Sequence, residues 1–493
     1  MLVCQFSYQR RYKAALLSLV ACMLFSCSVD KDTTKVMRAP LDKPNVIIFY
    51  LDDSGYGDYA HNGNPTIATP TISKLAYQGV NFSQFYTSSP ACSASRYSLL
   101  TGRVPGRSGL DSWVIGPEHP KYLHPKELTI AEGLKQQGYR TAMFGKWHLG
   151  SPNIANGMAT DSLPLAHGFD QWLGTNVSHD YANAKLLESS FNEPQFVTGY
   201  RELASDLPSH ADISNNLTKR YTDRVVSFIK RNKAKPFFTY IAFNQPHLGL
   251  HVSAPFKGKS RRGLLGDVMS EIDHSLARVL TAIDEVGIKD NTLIIFSSDN
   301  GPWVKFQQKT HRRYGDVRLD VGYAMPFRDG KGSNWEGGHR VPGIFYWPGV
   351  ISAGKVEQAP ISTLDILPTL FSLTGTPQPK DRTIDGRDIS SYLIDSRASA
   401  VKSFEFVYSG NKNQATALRS GPWKLMTNTY SQLGDNYGYQ ASKQTPLLFQ
   451  VEHDLSESID RAQEQTELTK SLSESLVKYQ QEIDSEASFW QKN

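Results

Sequence analysis

The chain has 493 residues, of which 39% are hydrophobic and 20% charged, so a packed globular body is expected and disorder is excluded. A formal net charge of +5 is modest for this length and does not argue for nucleic acid as a partner.

At the N-terminus, Arg10, Arg11 and Lys13 precede an apolar run over 14–25. The run is too short to span a bilayer and has the layout of an export signal. It ends in Leu24-Phe25-Ser26-Cys27, which resembles the lipobox of bacterial lipoproteins. Residues 1–27 are therefore expected to be a signal peptide with Cys27 open to lipidation. Residues 28–42 are polar, as in a tether. The expected location is the periplasm or outer membrane, with the membrane reached through a lipid. Of the four cysteines, only Cys92 lies in the body of the chain, so it has no body partner for a disulfide. Such a residue is either inert and buried or reactive.

Four short runs of strand formers come next, at 45–50, 140–144, 236–243 and 292–297. Amphipathic helical patterns lie between them at 129–137, 217–230 and 264–286. This alternation predicts an α/β fold with a mostly parallel sheet between helices. Strand-like pieces at 404–408, 415–419, 424–426 and 447–450, then a polar helix at 471–485, predict a smaller antiparallel sheet with a packed helix. The expected domains are a catalytic one over 43–395 and a C-terminal one over 396–493.

The residues just beyond each of the first four strands carry the chemistry. Asp52-Asp53 come after the first, Lys146 and His148 after the second, His247 after the third, and Asp299-Asn300 after the fourth. In an open parallel sheet, sites form beyond the carboxyl ends of the strands, so these groups are expected at one rim. Adjacent buried carboxylates repel, and a divalent cation would offset the cost. Oxygen ligands from Asp52, Asp53, Asp299 and Asn300 favour calcium or magnesium over zinc. A helix beginning near Cys92 would place Arg96 one turn along, with its positive end favouring an anion. A bare thiol there could be a thiolate of lowered pKa.

The stretch from Cys92-Ser93-Ala94-Ser95-Arg96 to Thr101-Gly102-Arg103 resembles the signature of type I sulfatases. So do YLDDSGYGD, FGKWHLG, NQPH, SSDNGP and DGKGSNWEGGHRVP, in the family's order. The match runs from about Pro44 to the end, and VSHD around Ser178 looks most like the arylsulfatase A branch.

The resemblance implies an alkaline phosphatase-like fold and hydrolysis of sulfate esters, with a sulfated glycan as the expected substrate. It implies oxidation of Cys92 to formylglycine by a maturation enzyme, and one calcium ion held by Asp52, Asp53, Asp299, Asn300 and residue 92. Arg96, Lys146 and Lys331 would neutralise the transferred group. His247, with Lys331, would protonate the departing alcohol, and His148 would take the proton that lets sulfate leave. Ser178, Lys146, His247 and Lys331 would touch substrate.

A phosphodiesterase or phosphonate hydrolase of the same superfamily is the enzymatic alternative. A silent glycan-binding lipoprotein is the alternative of another class. His61, His119, His124, His167 and His210 are expected on the surface or in loops, and His251 near substrate or in a structural role. The segment 305–328 is long and basic, and His311, Arg312 and Arg313 could meet a second anionic group on a polymer.

Overall fold

The computed structural model describes residues 43–491 apart from 111, 117–118, 151–159, 191–198, 306–316, 396–403 and 432–438. The export signal, Cys27, the tether, and His311, Arg312 and Arg313 lie outside the described residues.

Strand Asn45–Leu51 is buried along its whole length. Alternate side chains pack to opposite faces: Val46, Ile48 and Tyr50 join one core, Ile47, Phe49 and Leu51 the other. A strand apolar on both faces belongs at the centre of a sheet covered twice. It pairs in parallel with Thr292–Ser298 on one side and Phe237–Ala242 on the other. Arg140–Gly145 and Gln171–Thr175 extend the parallel centre. The sheet has ten strands, and most of its antiparallel pairing lies toward the flanks, through Gly343–Tyr346 and Leu186–Ser190. The four strands expected from sequence all form, each within a residue of its expected ends.

Helices Leu217–Asn232 and Leu264–Glu285 cover one face, with Val225, Phe228, Ile272, Leu276 and Ile283 inward. Helices Ile130–Gln136 and Ile366–Thr374 cover the other through Ile130, Leu134, Leu367 and Leu370. Thr129 caps its helix, accepting from Glu132 N at 3.1 Å, while Glu132 accepts from Thr129 N.

Strands Glu405–Ser409, Ala415–Ser420, Trp423–Met426 and Leu447–Gln450 form a separate antiparallel sheet. Helix Thr466–Ser485 starts earlier than its apolar pattern suggests and packs Leu472 and Leu476 on one face of that sheet. The other face meets Tyr86, Val104 and Trp335. A three-stranded sheet of Phe85–Tyr86, Arg340–Val341 and Ile361–Ser362 was not foreseen, because two-residue strands leave no periodic signal. Among the described residues, no helix is long and apolar enough to cross a membrane.

Leu276 is fully buried where the longest helix meets the sheet. Leu276→Ala is expected to lower unfolding free energy by about 2–5 kcal/mol, read by denaturant titration.

Candidate active site

Five adjacent parallel strands deliver the site. Asp52 and Asp53 follow Asn45–Leu51, and Asp299 and Asn300 follow its neighbour, with Asp299 N donating to Leu51 O at 3.0 Å. Lys146 and His148 follow Arg140–Gly145, His247 follows Phe237–Ala242, and Ser178 follows Gln171–Thr175. Gly145 is required here: at φ 120°, an added Cβ would lie 1.8 Å from Ala242 O. Asp53 and His148 also hold positive φ, of 64° and 57°, a conformation that is uncommon for non-glycine residues.

Cys92 opens helix Cys92–Thr101, so the condition under which Arg96 lies one turn along is met. Its Sγ lies 3.4 Å from Asp52 Oδ1 and 4.0 Å from Asp53 Oδ1. Arg96 donates to Asp299 Oδ2 from Nε at 3.1 Å and from Nη2 at 2.8 Å, and to Lys146 O from Nη1 at 3.0 Å. Lys146 Nζ donates to Asp52 Oδ2 at 2.5 Å and to Ser178 Oγ at 3.3 Å. Lys331 Nζ sits 2.8 Å from Asp53 Oδ1 and 2.9 Å from Oδ2. His247 Nε2 is 3.6 Å from Asp53 Oδ2, and His247 Nδ1 is 3.9 Å from Asp180 Oδ1. Both ring nitrogens of buried His148 lack a hydrogen-bond partner. Among the described residues, Asp52, Asp53, Cys92, Arg96, Lys146, His148, Ser178, His247, Asp299, Asn300 and Lys331 are thus brought to one rim.

Burial would raise Asp52, but Lys146, His247, Arg96 and Lys331 together hold it well below the usual carboxylate range. Burial and the Asp52 charge lift Asp299 instead. Burial pushes the Cys92 thiol well up, against the pull of Lys146 and Lys331. Burial beside carboxylates thus works against the thiolate of lowered pKa that a helix N-terminus would favour. Burial, then Lys146 and Arg96, keep His148 neutral, and burial and Lys331 lower His247.

The residues fit a divalent cation. Asp52, Asp53, Cys92 and His247 each offer a ligand atom within 4.8 Å of the others. Asn300 gives its amide hydrogens to Asp53 Oδ1 and Gly301 O, at 2.8 and 2.9 Å, leaving a buried Oδ1 with no partner. A buried amide oxygen beside carboxylates is a hard-cation donor. His247 enters this group although sequence suggested oxygens and residue 92 alone. Asp299 spends Oδ2 on Arg96 and Oδ1 on Asp53 N at 3.1 Å.

Some neighbours were not anticipated. Ser95 joins Tyr50, whose hydroxyl is 2.9 Å away, to Thr87, which donates to Asp299 O at 2.9 Å. This chain ties the cysteine helix to two strand ends. Asp180, beside Ser178 in VSHD, and Trp303, just after the Asp299-Asn300 turn, also border His247. His251 bonds Asn215 Oδ1 at 3.1 Å. His167 lies in the connection before Gln171–Thr175, as the loop expectation allowed, but is fully buried there with its ring 5.5 Å from Trp147.

A carboxylate cradle against a helix N-terminus, ringed by Lys, Arg and His beyond a parallel sheet, defines a hydrolase for anionic esters. The sulfatase family model matches residues 44–376, and the chain belongs to that family of sulfuric ester hydrolases. An arylsulfatase of Hemicentrotus pulcherrimus is 37% identical over 83% of this chain and 72% of that protein. A steryl-sulfatase of Homo sapiens is 32% identical over 84% and 83%. An N-acetylgalactosamine-6-sulfatase of Mus musculus is 34% identical over 79% and 73%. The crystal structure of PsFucS1 sulfatase from a Pseudoalteromonas species aligns with TM-score 0.76 at 28% identity, covering 90% and 91%. A phosphonate monoester hydrolase from Silicibacter pomeroyi, at 16% identity and TM-score 0.60, shares the fold alone.

Asp53→Ala would strand Lys331 in a buried position. The variant is expected to lose about 3–5 kcal/mol of stability in metal-free buffer, and adding Lys331→Met to recover part of it, read by denaturant titration.

Proposed function

We propose that the protein cleaves sulfate from a sulfated carbohydrate, with Cys92 oxidised to formylglycine and one calcium ion in the carboxylate cradle. The observation that carries this is the placement of Cys92 Sγ, 3.4 Å from Asp52, at the start of a helix whose Arg96 is locked to Asp299.

The hydrated aldehyde would supply a pair of hydroxyls, one to attack sulfur and one whose deprotonation releases sulfate by C–O cleavage. Asp52, Asp53, Asn300 and residue 92 would hold the calcium ion, which would supply positive charge to offset that of the sulfate. Lys146, between Asp52 and Ser178, and Lys331, on Asp53, present ammonium groups to the transferred group. Arg96 spends its donors on Asp299 and Lys146 O, so it acts by fixing those two groups. His148, neutral and unpartnered, is the base that accepts the second hydroxyl's proton. His247 protonates the departing alcohol from Nε2; burial and then the charge of Lys331 lower it, and a bound sulfate would offset the second of these.

An N-acetylgalactosamine-6-sulfatase among the relatives supports a carbohydrate substrate, alongside steryl-sulfatases of similar identity. The N-terminal pattern of Arg10, Arg11 and Lys13, an apolar run and Cys27 supports export and a lipid tether.

The deciding assay compares p-nitrophenyl sulfate with bis-p-nitrophenyl phosphate, alongside peptide mass spectrometry of residue 92. Wild type is expected to prefer the sulfate and to carry an aldehyde, while Cys92→Ser folds but does not sustain turnover. Steady turnover by Cys92→Ser would overturn the scheme.

Calcium at about 100 times its Kd should stabilise the metal-stripped protein by about 2.7 kcal/mol, seen as a raised Tm. Asp53→Asn should abolish that shift, and an undiminished shift would place the ion elsewhere.

A further inference from the structure

The alcohol side of the site has its own construction. Trp303 follows the Asp299-Asn300-Gly301-Pro302 turn, and backbone bonds fix that turn. Gly301 N donates to Gly338 O at 3.0 Å, and Lys331 N donates to Pro302 O at 2.9 Å. The half-buried indole lies 5.7 Å from the His247 ring, and Lys331 Nζ stands 5.0 Å from its centroid. Two of its neighbours are therefore the acid assigned to the departing oxygen and an ammonium assigned to the sulfate, so the leaving group emerges beside the indole. The same imidazole faces polar groups. Asp180 Oδ1 is 3.9 Å from His247 Nδ1, and the His179 ring is 5.8 Å from it. Half-buried His251 stands 5.5 Å beyond His179.

We propose that Trp303, with Asp180, His179 and His251, forms a leaving-group subsite for a pyranose ring that carries a free hydroxyl near the sulfate ester. This rests on the sulfatase reading above. One aromatic face suits the C–H face of a pyranose, and a polar rim suits its hydroxyls. A steroid would cover the indole but press carbon against Asp180 and His179, which costs free energy because neither gains a hydrogen bond from it. Lys331 drawn over the indole adds a cation contact that holds the ring in place.

The test uses the matured full-length protein with galactose monosulfates at each position, p-nitrophenyl sulfate and dehydroepiandrosterone sulfate. Wild type is expected to turn over at least one galactose monosulfate with higher kcat/KM than the steroid sulfate. Trp303→Ala should lower the ratio of kcat/KM for that sugar to kcat/KM for p-nitrophenyl sulfate by about tenfold, and Trp303→Phe should restore most of it. Preference for the steroid, or an unchanged ratio in Trp303→Ala, would overturn the subsite. Wild type inert toward all three substrate types, including p-nitrophenyl sulfate, would instead overturn the sulfatase reading beneath it.

Discussion

Three carboxylates and three cations share a space that water scarcely reaches, and the site depends on how they are matched. Asp52 is held by Lys146, Asp53 by Lys331, and Asp299 by Arg96. Taken alone, this set is neutral, and each member would be costly to bury without its partner. A divalent cation in the cradle would leave the two ammonium groups in surplus, which is the charge needed to draw in a sulfate ester. The same buried set serves folding and recognition, because it lacks only positive charge on one side and negative charge on the other.

The sheet makes that matching possible. Parallel strands in register end at one level, so residues hundreds of positions apart arrive together. Leu51 pairs with Ser298, which puts the Asp52-Asp53 pair beside Asp299-Asn300. This much was legible in the sequence, because buried strands are short apolar runs and the polar residues just beyond each one were visible. The matched motifs added what periodicity cannot give, namely the place of Lys331.

Other features were hidden for physical reasons. Whether a thiol at a helix N-terminus ionises depends on how deeply it is buried, and Cys92 is almost wholly enclosed. Arg96 reads in sequence as a group for substrate, yet its donors are used inside the protein. Trp303 resembles any turn aromatic until the ring of His247, from another strand, is set beside it. The burial of the loop residue His167, whose ring meets Trp147, has no local signal either. Each case depends on contacts between distant segments, to which local pattern is blind.

The antiparallel sheet is fastened to the catalytic body through Glu336. Its carboxylate accepts from Tyr86, Tyr408 and Lys424, at 2.6, 2.7 and 3.1 Å, while Lys424 also meets Glu457 at 2.7 Å. Glu457 in turn accepts from Glu336 N at 2.7 Å. Lys331 lies only five residues before this knot. Damage to the C-terminal strands would therefore reach the ammonium on Asp53 along a short stretch of backbone, so a truncated chain would lose its hold on the anion even with the large sheet intact.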